Sequence, residues 1–151
     1  MKGVKSVKVS TKGRYALRMM LDLAERKNSG FISLKEIAER QNISKQYLEQ
    51  IVSLLNTANL LRANRGKQGG YMLAKEPECY SVGQILRITE GSLAPVACLA
   101  DESNCCDRAN GCITLPIWEG LDAVITEYLD SHTLQDILDQ YHKHAKSNYV
   151  I

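Results

Sequence analysis

The chain has no apolar run long enough to cross a membrane. Its basic opening segment, Met1–Ser10, is not followed by the apolar stretch of a secretory leader. Both absences argue against a membrane or exported protein and predict a cytoplasmic one. Aromatic residues are scarce, with one Trp and one Phe, and only three prolines interrupt the 151 residues. Acidic residues are scarce in the first half alone. Residues 1–75 hold fifteen Lys/Arg against five Asp/Glu, net +10, whereas residues 76–151 hold four against twelve, net −8; together these give the +2 of the whole chain. A basic half joined to an acidic half predicts that one face meets a polyanion and the other does not.

What the chain does have is cysteine in one place. Four of its five cysteines (Cys98, Cys105, Cys106 and Cys112) lie within fifteen residues. Seven residues separate Cys98 from Cys106 and five separate Cys106 from Cys112. The intervening residues are polar and turn-prone, so the loop has no core of its own. An odd number of cysteines cannot all pair, and in a reducing compartment clustered thiols point to metal or redox chemistry. Thiolates are the natural ligands of iron–sulfur clusters. A zinc ion on four cysteines is a second option, though the adjacent Cys105 and Cys106 suit one tetrahedral ion poorly. A metal-free thiol switch is a third. Cys79, outside the cluster, is expected to be half-buried and uninvolved.

In chain order, a helix is predicted from Thr11, with Tyr15, Met19 and Leu23 four residues apart and Asn28-Ser29-Gly30 closing it. Ser33-Leu34-Lys35-Glu36 is a capping-box signature for a short second helix. After the turn Gln41-Asn42-Ile43, Ser44 caps a third helix running to about Ala58, with Leu48, Ile51, Val52, Leu54 and Leu55 apolar. Two short helices across a brief turn form a helix-turn-helix pattern. In that geometry the N-terminal end of the second helix enters the major groove. Its expected exposed residues are Ser44, Lys45, Gln46, Tyr47 and Glu49. Gln46 suits an adenine edge and Glu49 a cytosine amino group.

Leu60–Asn64 and Tyr71–Ala74 read as two strands around the glycine-rich turn Arg65-Gly66-Lys67-Gln68-Gly69-Gly70. A hairpin following a recognition helix is a wing, and Arg65, Lys67 and Gln68 at its tip are expected at the DNA backbone or minor groove. The glycine spacing is not that of a nucleotide-binding P-loop, and no helix follows directly, which argues against an enzyme. Ser81-Val82-Gly83-Gln84 signals a further capping box and a helix closed by Glu90-Gly91.

Pro116 begins a long helix to about Asp130, with Ile117, Trp118, Leu121, Val124, Ile125, Tyr128 and Leu129 giving it a wide apolar stripe. This stripe is read as a homodimer seam, carried by Trp118, Leu121, Val124, Ile125 and Tyr128. Ser131–Asp136 opens a last, short helix with Leu134, Ile137 and Leu138. His132, His142 and His144 are expected to be solvent-exposed. A polar tether follows, ending in Tyr149, Val150 and Ile151.

These residues resemble the IscR-like winged-helix regulators of bacteria, which include iron–sulfur, nitric-oxide and cysteine-metabolism repressors. The resemblance runs from about Lys8 to Leu138. It is carried by Ser10-Thr11-Lys12-Gly13-Arg14-Tyr15-Ala16, by Ile43-Ser44-Lys45-Gln46-Tyr47-Leu48-Glu49-Gln50 and by Arg65-Gly66-Lys67-Gln68-Gly69-Gly70-Tyr71. It implies a homodimer on a palindromic operator in double-stranded DNA. It also implies a [2Fe–2S] cluster on Cys98, Cys106 and Cys112. The family's fourth ligand has no match: Leu115 stands where the biogenesis regulator has histidine, and Arg14 where some nitric-oxide sensors have a carboxylate. Cys105, or a group from the partner subunit, is left for that role. The ending Tyr149-Val150-Ile151 resembles tails by which partners enter the active site of cysteine synthase, and so implies an alternative: a cluster-free cysteine-metabolism repressor.

The expected architecture is therefore mainly α with a small β-hairpin wing. A winged-helix DNA-binding domain spans 1–91 and the cysteine loop 92–115. The dimerisation helix, short helix and tail span 116–151.

Overall fold

The structure is a computed structural model that describes residues 9–104 and 106–149. Cys105, Val150, Ile151 and the basic arm before Val9 lie outside the described residues. Six helices and one hairpin follow in the order α1 (Thr11–Glu25), α2 (Leu34–Gln41), α3 (Lys45–Thr57), β1 (Leu61–Asn64), β2 (Gly70–Leu73), α4 (Val82–Glu90), α5 (Leu115–Asp130) and α6 (Leu134–Ser147).

Each of the first four helices starts where a short hydroxyl side chain can satisfy an orphan amide. Ser10, Ser33, Ser44 and Ser81 accept from Gly13, Glu36, Tyr47 and Gln84 N–H respectively. At α2 the capping box is complete, since Glu36 also receives the Ser33 amide. The tight turn after α2 is closed by Asn42 in the left-handed region (φ 52°), a conformation asparagine tolerates.

The core is one apolar cluster beneath α1. Met19, Met20, Leu23, Ile37, Leu48, Ile51, Leu55, Ile85 and Leu134 are essentially fully buried in it. Tyr80 is its polar pin. Only 1% exposed, it donates its hydroxyl hydrogen to Leu60 C=O at 2.9 Å and accepts from Lys75 N–H at 2.8 Å, which fastens the hairpin to the start of α4. β1 and β2 are antiparallel, with Leu61 opposite Leu73 and Asn64 opposite Gly70. Ile32 adds a bridge to Tyr71, exchanging both backbone bonds. Glycine is required at position 70, because a Cβ there would overlap the Ile32 carbonyl.

The α5–α6 corner is sewn to α4. His132 C=O accepts from Val82 N–H, and Leu134 N–H donates to Tyr80 C=O. Arg87 grips Asp130 with two bonds of 2.8 and 3.0 Å.

Four expectations need correction. Cys79 is exposed rather than half-buried, because its neighbours Pro77 and Tyr80 take the inward positions of that turn. α6 is not short: a Thr133–Asp136 capping box starts it and it runs fourteen residues, taking in Lys146 and Ser147 of the expected tether. His132 is half-buried, its ring 4.5 Å from that of Tyr128. Leu54 lies on the outer side of α3, 36% exposed.

Candidate nucleic-acid interface

α3 is held by its inner side and shows its outer side to solvent. Leu48, Ile51, Val52 and Leu55 are buried, while Ser44, Lys45, Gln46 and Glu49 are exposed at its N-terminal end. Lys45 and Glu49 lie 3.9 Å apart, one helical turn along this face. Tyr47 does not join them as expected: its ring is half-buried, edge-on to Tyr15 at 5.6 Å. Gln50 was missing from the sequence-level candidates. It lines, with Lys12 of α1 and Gln46, Glu49, Ser53 and Leu54 of α3, an open concavity on this outer face. Its position one residue after Glu49 was the available signal.

The wing tip stands clear of the core. Arg65, Lys67 and Gln68 are all exposed, and neither cation has an ion-pair partner among the described residues. The hairpin thus presents unpaired positive charge, and α3 presents exposed hydrogen-bonding side chains with Lys45 beside Glu49.

The orientation of α3 is set by a polar network that sequence patterns did not reveal. Asp22, on α1, is the buried charged residue of the core, at 3% exposure. Its carboxylate accepts from Arg40 at 3.0 and 2.7 Å and from Gln41 Nε2 at 3.0 Å, with Arg26 at 3.1 Å. Burial alone would push the Asp22 carboxyl up. The Arg40 and Gln41 hydrogen bonds and the charges of Arg40 and Arg26 outweigh that and hold it below its ordinary value. Arg18 reaches the other side of Gln41, donating to its backbone carbonyl, and lies over the Tyr15 ring. Together these contacts fix the last turn of α2, and therefore the turn into α3, against α1.

The cysteine loop joins α4 to α5. Cys98 is half-buried in a single helical turn, Ala97–Leu99; Cys106 is exposed; Cys112 is half-buried three residues before α5. The surroundings of Cys112 favour its thiolate. The Thr114 hydroxyl, then the backbone amides of Thr114 and Leu115, then the Arg108 charge hold it below the ordinary thiol value. These thiols are the right donors for iron, but among the described residues no three His, Cys, Asp or Glu side chains are gathered to hold a metal ion.

α5 carries the other open surface. No residue of it is fully buried. Ile125 and Leu129 turn partly toward their own subunit. Ile117, Trp118, Leu121, Val124 and Tyr128 stay exposed, with Ile117, Val124 and Tyr128 each above 60%. At the far end, Tyr149 is 88% exposed just past α6.

A capped helix pair, a charged hairpin wing and an unburied apolar helix define a winged-helix DNA-binding protein. Residues 9–140 match the family model described as "Rrf2: Iron-dependent Transcriptional regulator", and the chain belongs to the Rrf2 family of transcriptional regulators. It is 41% identical over 131 residues to the HTH-type transcriptional regulator CymR of Bacillus subtilis, covering 87% of this chain and 89% of that protein. Among solved structures it is similar to T. potens IscR (42% identity, TM-score 0.72, covering 89% of this chain and 88% of that one). It is also similar to CymR (YrzC), the global cysteine regulator of B. subtilis (39% identity, TM-score 0.72, covering 88% of this chain and 97% of that one). The relatives so named are regulators rather than enzymes.

Proposed function

We propose that the chain is a cytoplasmic homodimeric repressor that binds a palindromic DNA operator and changes its affinity through chemistry at Cys98, Cys106 and Cys112. The observation that carries this reading is the exposure of both the N-terminal end of α3 and the tip of the hairpin that follows it, with the apolar stripe of α5 left uncovered. Ser44, Lys45, Gln46 and Glu49 enter the major groove, while Arg65, Lys67 and Gln68 meet backbone or minor groove. Tyr47 acts from behind, setting the helix against Tyr15. Trp118, Leu121, Val124 and Tyr128, with Ile125 at the edge, form the twofold seam. In such a dimer two recognition helices sit about one DNA turn apart, roughly 34 Å.

The first candidate for the sensory chemistry is a [2Fe–2S] cluster, with Cys105 as fourth or alternative ligand. Its support is the thiol spacing and the likeness to T. potens IscR. When bound, a cluster would supply redox- and iron-dependent order to a loop that has no core of its own. The second reading is a cluster-free regulator of cysteine metabolism, controlled by cysteine synthase through Tyr149, Val150 and Ile151, or by thiol oxidation. It is favoured by the likeness to the global cysteine regulator.

Absorption spectra with iron and sulfide assays on protein purified without oxygen separate the two. Visible bands with about two irons and two sulfides per chain are expected for the cluster. A colourless, iron-free protein that still binds a specific operator would hand the role to the second reading. Deleting Tyr149–Ile151 is then expected to abolish any complex with cysteine synthase.

A further inference from the structure

Glu90, the last residue of α4, reaches back to the first turn of α1. Its Oε1 accepts from the Ser10 backbone N–H at 2.9 Å and from the Ser10 hydroxyl at 2.6 Å. Ser10 Oγ in turn accepts from Gly13 N–H at 3.3 Å, so a single carboxylate oxygen holds the whole N-cap of α1. Its negative charge also meets the positive end of the helix dipole. Gly13 makes room for this contact: a Cβ there would overlap Glu90 Oε1 and crowd Leu86 and Val9. Lys12, the second residue of the helix that Ser10 caps, lines the open concavity it shares with Gln46, Glu49 and Gln50 of α3. Lys12 has no ion-pair partner among the described residues.

We propose that Glu90 is a positioning residue for DNA binding, which, through Ser10, holds the first turn of α1 so that Lys12 meets a backbone phosphate beside the groove occupied by α3. The inference rests on the DNA-binding reading above. With α3 filling a major groove about 12 Å wide, a cation on the adjoining helix turn faces the groove's phosphate wall rather than its bases. Lys12 is the only residue of that turn lining the α3 concavity. Glu90 is half-buried, its carboxylate is engaged by Ser10, and it does not line the α3 concavity. Its effect on DNA must therefore travel through α1.

The test is the salt dependence of operator binding, measured by fluorescence anisotropy on a duplex chosen by in vitro selection. A lost phosphate contact lowers the slope of log affinity against log salt by about one. Lys12→Ala is expected to weaken binding several-fold and lower the slope by that amount. Glu90→Ala should do the same with Lys12 still present, and the Lys12→Ala/Glu90→Ala double variant should be no worse than either single. Gly13→Ala provides the independent check. Alanine is the better helix former, so a loss of affinity and slope in that variant does not come from a weaker helix, and its disappearance when Glu90→Ala is already present assigns it to Glu90 rather than to the crowding of Leu86 and Val9. A purely structural role would reduce the fraction of active protein and leave the slope of the remainder intact. An unchanged slope in Glu90→Ala, or full additivity in the double variant, would overturn the proposal. If the wild-type protein binds no duplex specifically, the DNA-binding reading fails first and this inference falls with it.

Discussion

Asp22 shows how much one residue can carry. Its carboxylate, 1% exposed, is satisfied by Arg40 and Gln41 of α2 and by Arg26 just past the end of α1. Removing one partner of such a group leaves the others buried without a counter-charge. Asp22→Ala is expected to cost about 3 kcal/mol in chemical denaturation, somewhat below the fully buried case because Arg40 remains 30% exposed. The pH dependence follows from the direction of the shift. The folded carboxyl lies below its ordinary 3.8, so its stabilising contribution is complete well above that value and fades as pH falls through it. The gap in melting temperature between wild type and Asp22→Asn should therefore narrow on acidification below about pH 4; a constant gap would mean that the carboxylate charge is not what matters. On the DNA face, two residues are expected to behave differently. Gln46→Ala should relax sequence preference, by about 1–3 kcal/mol for a lost bidentate base contact. Lys67→Ala should weaken specific and random duplexes alike and lower the salt slope by about one. Identical losses on both duplexes for Gln46→Ala would remove it from base reading.

At the scale of elements, what was legible in the sequence was whatever a local rule controls. The starts of α1, α2, α3 and α4 follow from Ser10, Ser33, Ser44 and Ser81, because a cap is decided within four residues. The wing followed from its glycine-rich turn between two short apolar runs. Features decided by tertiary contact were not legible. Tyr47 sits on the expected outer face of α3 by spacing, yet the Tyr15 ring draws it inward. The length of α6 was underestimated because Lys146 and Ser147 read as a tether, although the helix continues through both. The Asp22 network was invisible because a lone acid on an apolar stripe gives no sign of its partners eighteen residues on. The α5 stripe was legible as excess apolar surface, and its exposure in the single chain agrees with that excess. A charge placed there is the direct test of the proposed seam. Leu121→Glu is expected to give monomers in analytical ultracentrifugation and to lower operator affinity at least tenfold, since each half-site alone binds weakly. A stable dimer in that variant would move the interface elsewhere.

For the molecule as a whole, the division of charge matches the division of surfaces. The net positive charge of residues 1–75 includes the α3 and wing cations, whereas the acidic half supplies α5, α6 and the cysteine loop. In the proposed dimer such a distribution would steer the α3 and wing side toward a polyanion. Family membership gives the regulator class. The loop thiols and the C-terminal tail are where its signal is proposed to enter. All of this depends on a twofold dimer reading DNA with α3 and the wing. The most direct measurement is selection of binding sites from a random duplex library by the purified full-length protein, followed by sequencing of the retained pool. The account predicts a single palindromic consensus, with half-sites about one helical turn apart, that is lost in Leu121→Glu and degenerates at one position per half-site in Gln46→Ala. Enrichment of an asymmetric single half-site, or no enrichment beyond general affinity for duplex, would contradict it.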